Sequence, residues 1–234
     1  MKVKLTPLPK NRLPIAQEIM VRNHYLHARV DARCSVEGYA VYLDGPSCEI
    51  GPVGYFLLGR PQATRCRDWY GGVDDVAAGR CKVTRWQVLN LARVWLSPMV
   101  QPGGVWYGPD FLPGFVDRRG VWRSALASTA VRALIQRVGY DYLVRRPPCF
   151  LDEPYQIEWL MSYCDTRLHR GVIYQASGFE LYRTNGDGIQ TWRVRLPALT
   201  AIQDLEIKSS SARSQRSEAH RARRAQLGLW QETQ

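Results

Sequence analysis

His169-Arg170-Gly171-Val172-Ile173-Tyr174-Gln175-Ala176-Ser177-Gly178-Phe179 is the stretch whose reading decides the fold. Residues 168–177 predict a short helix, and Gly178-Phe179-Glu180-Leu181-Tyr182 opens a strand. A further strand spans Ile189–Leu196, after Asn185-Gly186-Asp187-Gly188. The Asn-Gly signal between the two strands predicts an antiparallel pair. Just upstream, the apolar run Ile157–Cys164 ends in Asp165 and predicts a buried strand. Earlier still, Trp86–Leu96 is strongly strand-like and stops at Ser97-Pro98. Within it, the alternation Leu89, Leu91, Arg93, Trp95 places Arg93 on one sheet face with apolar neighbours. An arginine in such a strand requires an anionic or multi-acceptor partner, because a buried unpaired guanidinium is costly.

Between these strands, Ser124–Val138 carries Ala125, Leu126, Ala130, Val131, Leu134 and Ile135 at helical spacing. Nearer the N-terminus, Pro14 to Asn23 predicts a helix that His24-Tyr25-Leu26-His27 ends. Strands follow at Gly38–Leu43 and Val53–Leu58, with turn chemistry at Asp44-Gly45-Pro46 and Gly51-Pro52. Residues 59–84 read as a polar loop, and the Gly/Pro-rich 100–120 as an exposed loop or lid. From Lys208 the chain is rich in Ser, Arg, Ala and Gln, with His220-Arg221-Ala222-Arg223-Arg224 inside it. The expected organisation is one α/β domain over 1–207 and a basic, disordered or binding-induced helical tail over 208–234. The domain is a mixed central sheet flanked by helices, with long loop insertions.

Bulk composition narrows the function classes. With 45% hydrophobic residues, eight Trp and twelve Tyr, the 234-residue chain can build a full core. No run approaches the roughly 18–20 apolar residues of a membrane span. The basic N-terminus lacks the apolar stretch of a secretory signal, so the reading is cytoplasmic, the host cytoplasm if phage-encoded. Six cysteines lie scattered with no C-x-x-C pair, which disfavours structural zinc and a disulfide framework. A net charge of +11, mostly from arginine, points to a polyanionic partner: nucleic acid, a phosphorylated cofactor, or both.

The 169–179 stretch resembles the short helix and following Gly-Phe of the GNAT superfamily of acyl-CoA-dependent acyltransferases. The resemblance implies that Tyr174 faces the acyl-CoA sulfur and protonates the leaving thiolate. It also implies a strand whose end splays open for pantetheine, here Leu89–Leu96. A backbone cradle for the pyrophosphate would follow at Arg118-Arg119-Gly120, leading through Ser124 into the next helix. Four pieces taken together are similar to Mom-type phage DNA-modification proteins, a divergent GNAT branch. They are His24-Tyr25, Asn90–Leu96, Ser124, and Ser162-Tyr163-Cys164-Asp165 with His169 to Ala176. The similarity covers roughly residues 14–195, with longer connections at 97–123 and 144–156.

That resemblance implies conversion of adenine in DNA to an N6-carbamoylmethyl (acetamido) form that protects phage DNA from restriction. Carried over by position, Arg93, Val94, Arg119, Gly120 and Ser124 serve acetyl-CoA or another acyl-CoA. Asp165, Tyr174, His24 and Tyr25 form the reacting centre, and a metal is left open. The adenine N6 lone pair is delocalised, so acetyl transfer alone does not produce an acetamido group. Basic residues with interleaved aromatics suit a DNA backbone: Arg65, Arg67, Trp69, Tyr70, Arg145, Arg146, Arg221, Arg223 and Arg224. Two alternatives stand beside this one. The first is a GNAT acetylating a small-molecule or protein amine. The second is a non-catalytic nucleic-acid-binding protein on the same scaffold.

Overall fold

The computed structural model describes residues 2–23, 30, 37–44, 51–101, 114–116, 122–142 and 156–197. Its strands are β1 (Lys2–Pro7), β2 (Glu37–Asp44), β3 (Gly54–Gly59), β4 (Tyr70–Gly71), β5 (Val83–Thr84), β6 (Val88–Leu96), β7 (Gly114–Val116), β8 (Trp122–Ser124), β9 (Trp159–Asp165), β10 (Glu180–Thr184) and β11 (Ile189–Arg195). The helices are α1 (Leu13–Asn23), α2 (Val73–Ala77), α3 (Leu126–Tyr140) and α4 (Val172–Ala176). Met1–Leu196 form one compact unit and Pro197–Gln234 a second. The tail expected at 208–234 falls in the second unit, outside the described residues.

Seven strands make the central sheet in the order β1-β2-β3-β6-β9-β11-β10. Every neighbouring pair is antiparallel except β6 with β9. The result is the expected mixed α/β class, a mostly antiparallel sheet flanked by helices. The Asn-Gly pair forms as read, with Asn185 Oδ1 accepting from the Asp187 and Ile189 backbone N–H groups at 3.0 and 2.7 Å.

One sheet face packs against α3 and α4. Leu126, Ala130, Val131, Leu134 and Val138 of α3 are fully buried against Phe56, Leu58, Leu89, Leu91 and Leu160. Removing that apolar area from water is the main stabilising contribution, about 25 cal/mol per Å². The other face carries α1 over Ala40, Tyr55 and Leu57, through the buried Ala16 and Met20. These lie four residues apart, on one side of the helix.

Two loop expectations need correction. Within 59–84 lie α2 and the parallel β4–β5 ladder, and Trp69 and Tyr70 are buried at 1% and 0% exposure. This insertion docks on the face opposite α3, against Val88 and Met161, with Trp159, Tyr163 and Tyr182 packed alongside. The Arg193 guanidinium lies 5.0 Å from the Trp69 ring, 5.3 Å from Trp159 and 4.5 Å from Tyr182, so cation–π attraction fastens the insertion. The second correction concerns the approach to α3. Residues 122–124, expected in a phosphate-binding loop and helix start, are a strand paired with 114–116.

Gly171 precedes α4 in the left-handed region, with φ +68°. A Cβ there would stand 2.6 Å from Cζ2 of Trp192. Both effects oppose a side chain, so Gly171→Ala should cost about 1–3 kcal/mol of stability. Urea unfolding checks this; an unchanged midpoint would show that α4 does not need that backbone conformation.

Candidate active site

The sheet forks where its one parallel ladder ends. β6 and β9 are in register only at Val88–Trp159, Leu89–Leu160 and Asn90–Met161. Beyond them β6 runs on to Leu96 with β3 as its partner, and β9 runs on to Asp165 with β11. The strands therefore part, and a cleft of about 680 Å³ opens between residues 90–96 of β6, 162–165 of β9, and 169–174. Past Asn90 the β6–β9 ladder gives β6 no backbone partner among the described residues, and side chains take over part of its edge: Arg93 donates to the Ala92 carbonyl and Gln101 to that of Leu96. At the vertex, the Ser162 hydroxyl donates to the Leu91 carbonyl at 2.9 Å and is 2% exposed.

Tyr174 stands on the α3 face of this fork. Its hydroxyl lies 2.9 Å from Ser162 Oγ, and its ring meets Phe179 edge-on at 5.5 Å and stacks on Trp192 at 6.1 Å. The supporting helix is short, so its ends are tied externally. The Phe179 backbone N–H donates to the Tyr174 carbonyl at 3.0 Å, Ser177 Oγ donates to Ile173 O at 2.6 Å, and Arg132 of α3 donates to the Ala176 carbonyl. A phenol held this way lines the cleft at a fixed position.

Arg93 does not share a face with Leu89 and Leu91. The β3–β6 register runs Leu57 with Arg93 but Leu58 with Leu91, so Ala92 is an extra residue in β6. This bulge shifts the alternation by one. Leu91, Val94 and Leu96 face α3, whereas Ala92 and Trp95 join the cluster under α1. Trp95 stacks on Tyr55 at 5.9 Å on that side. Arg93 is half-buried, donates to the Ala92 carbonyl at 2.7 Å, and lines the cleft from the α1 side, opposite Leu57; Arg60 and Gln62 also line the cleft. Val94 lines the cleft on the α3 side.

Asp165 ends β9 at the cleft rim, but its carboxylate is engaged. Arg167 donates to it from Nε at 2.9 Å, from Nη2 at 2.6 Å and from its backbone N–H at 3.0 Å. These bonds lower its pKa to about 2. So weak a conjugate base cannot take a proton from an amine efficiently near neutral pH. In this structure Asp165 closes the turn into α4.

Ser124 ends β8, one residue before the Ala125 N-cap of α3, and accepts the Leu126 backbone N–H at 3.3 Å. Arg65 and Arg67 are exposed on the insertion, where Arg65 reaches Asp75 at 3.6 Å. Trp69 and Tyr70, read with these arginines as suiting a DNA backbone, are instead core. His24, Tyr25, Arg119, Gly120, Arg145, Arg146, Arg221, Arg223 and Arg224 lie outside the described residues. Among the described residues, no group of three or more His, Cys, Asp or Glu is placed to hold a metal. No described helix is long and apolar enough to cross a membrane. Sequence reasoning gave no role to Ser162, Asn90, Arg60 or Gln62. The visible signal for Ser162 was a polar residue between Leu160 and Cys164 on the inward side of an apolar strand.

No family model matches the chain, and no curated protein matches its sequence. Solved structures do align. An aminoglycoside acetyltransferase in complex with coenzyme A has 16% identity over 83% of this chain and 95% of its own, with a TM-score of 0.44. The Campylobacter jejuni N-acetyltransferase PseH with acetyl coenzyme A has 9% identity over 83% and 99%, TM-score 0.39. An acetyltransferase from Thermus thermophilus has 11% identity over 84% and 98%, TM-score 0.40.

The Asp165 pairing has an acid signature. Its pKa of about 2 is below the ordinary 3.8, so its contribution to stability is complete above about pH 4 and disappears as pH falls toward 2. Melting temperatures of the native chain and Asp165→Asn, compared from pH 5 to pH 2, should converge across that window. Parallel curves would remove the carboxylate from this role.

Proposed function

We propose that the chain is an acyl-CoA-dependent acyltransferase of the GNAT type, with Tyr174 as the general acid. The carrying observation is the fork between β6 and β9 with the Tyr174 hydroxyl at its inner end. The residues present fit the donor at its thioester end. Leu91, Val94, Leu96, Ala127 and Ile173 give the slot an apolar wall for a pantetheine arm. Amides of β6 beyond Asn90 suit the developing oxyanion of a thioester under attack. For the pyrophosphate end, the sequence resemblance assigns Arg119 and Gly120, which lie outside the described residues.

Chemistry on this scaffold follows from the two faces. The donor takes the α3 face, where Tyr174 stands, so the amine approaches through the gap from the α1 face. A C–N bond forms at the thioester carbonyl as the C–S bond breaks. Tyr174 gives its proton to the departing thiolate, whose basicity is close to that of an ordinary phenol. The nitrogen proton returns to the phenolate through solvent.

Arg93, on the α1 side of β6, favours an acceptor with an anionic group, and Arg65 and Arg67 add exposed positive charge on the insertion. This supports DNA as the acceptor, the finer reading, with adenine N6 as the target. The expected direct product is an N-acyl adenine. A carbamoylmethyl group would need its bond at the acetyl methyl carbon and a further nitrogen, which thioester acyl transfer does not supply.

Acetyl-CoA should raise the melting temperature of the native chain and of Tyr174→Phe alike. The variant should turn over about a hundredfold more slowly. No shift with acetyl-CoA would defeat the transferase reading. Mass spectrometry of nucleosides from expressing cells, with Tyr174→Phe as control, tests DNA: unmodified deoxyadenosine in both returns the acceptor to a small-molecule or protein amine.

A further inference from the structure

The Ser162 hydroxyl has two partners and one proton. Its Oγ lies 2.9 Å from the Leu91 carbonyl oxygen and 2.9 Å from the Tyr174 hydroxyl. A carbonyl can only accept, whereas a phenol can donate or accept. Two arrangements are therefore available within one heavy-atom geometry. In the first, Ser162 donates to Leu91 and receives the Tyr174 proton, which then points away from the cleft. In the second, Ser162 turns its proton onto the Tyr174 oxygen, and the phenol proton faces the cleft.

The position of Ser162 explains why both partners are there. Asn90–Met161 is the last pair of the parallel ladder, so the next carbonyl of β6, that of Leu91, has lost its β9 N–H partner. The Ser162 side chain replaces it, buried at 2% exposure at the vertex of the fork. The fork itself thus places a rotatable donor between a backbone carbonyl and the acid.

We propose that Ser162 is a positioning residue that switches its proton from Leu91 to Tyr174 during acyl transfer and so stabilises the phenolate. The inference rests on the acyltransfer reading above. Ser162 first rotates, breaking its bond to the Leu91 carbonyl and donating to the Tyr174 oxygen, which turns the phenol proton toward the cleft. As the C–S bond breaks, Tyr174 gives that proton to the thiolate and Ser162 holds the phenolate. Reprotonation of the phenolate from the nucleophile (the amine, or water in hydrolysis), through solvent, lets the hydroxyl turn back. No net charge is created at Ser162 at any point.

The test uses acetyl-CoA turnover by the full chain, read as free CoA thiol with water as acceptor, across a pH series. Ser162→Ala should lose about tenfold in kcat at neutral pH with KM for acetyl-CoA within about twofold, since a hydrogen bond to a charged group is lost only after chemistry begins. Its alkaline limb should move to higher pH, because an unassisted phenol holds its proton more tightly. Ser162→Ala/Tyr174→Phe should be no slower than Tyr174→Phe alone, because the serine acts only through the phenol. If the alanine variant does not fold, Ser162→Cys, near in size with a weak S–H donor, should show the same limb shift. Multiplying losses in the double variant, or an unmoved limb, overturns the switch while leaving Tyr174 as the acid. Full activity in Tyr174→Phe overturns the acid and the switch together.

Discussion

The structure depends on a parallel contact that is broken early. Antiparallel pairing continues along both outer sides of β6 and β9, so each strand is held firmly by its other neighbour. Only their mutual ladder stops, after Asn90 and Met161. A gap in the middle of a sheet normally exposes unsatisfied backbone groups, which is expensive in a buried setting. Here the cost is contained by Ser162, which satisfies the first freed carbonyl, and by a ligand-sized opening for the rest. Structural need and chemical opportunity coincide at that vertex, because the residue that closes the ladder also touches the phenol.

The second constraint is the bulge at Ala92. Without it, Arg93 would stand among the leucines that pack on α3, where a guanidinium has no place. With it, Val94 and Leu96 take those positions, and Arg93 turns to the face under α1. One extra residue thus separates an apolar wall from a cationic one on opposite sides of a single strand. Strict alternation along Leu89, Leu91, Arg93 and Trp95 could not reveal this. The alternation contains no signal of where β3 changes register. Helices α1, α3 and α4 and the strand pair flanking Asn185-Gly186 were legible, because each rests on local spacing and turn chemistry.

Long-range pairing explains the insertion that sequence reading took for a loop. Arg65, Arg67, Trp69 and Tyr70 set basic residues beside aromatics, a composition that suits a DNA backbone. The partners of the two aromatics are Trp159, Tyr163, Tyr182 and Arg193, on strands far along the chain. Tyr182 donates to Asp68 at 2.6 Å, and burial together with that bond pushes its phenol up to about 12. Arg193 also pairs with Glu180 at 2.5 Å, so the cation in this aromatic cluster is neutralised within the fold. Composition reports which residues are present, not which of them meet. The arginines left exposed there, Arg65 and Arg67, lie on the outside of a module whose aromatic content is spent on docking.

Tyr174 and Asp165 show how neighbouring titratable groups are given separate work. Both line the same cleft, and either residue type can move a proton. Asp165 is bound three times by Arg167, which fixes its charge and removes it from proton transfer over the physiological range. Tyr174 is held by ring packing and meets at its oxygen a hydroxyl that can either give or take a hydrogen bond. A permanently charged carboxylate suits a turn that must stay closed. An acid that must give up a proton and recover it needs a partner able to follow the change. In the proposed acyl transfer Ser162 is such a partner, because its hydroxyl can turn without moving its oxygen.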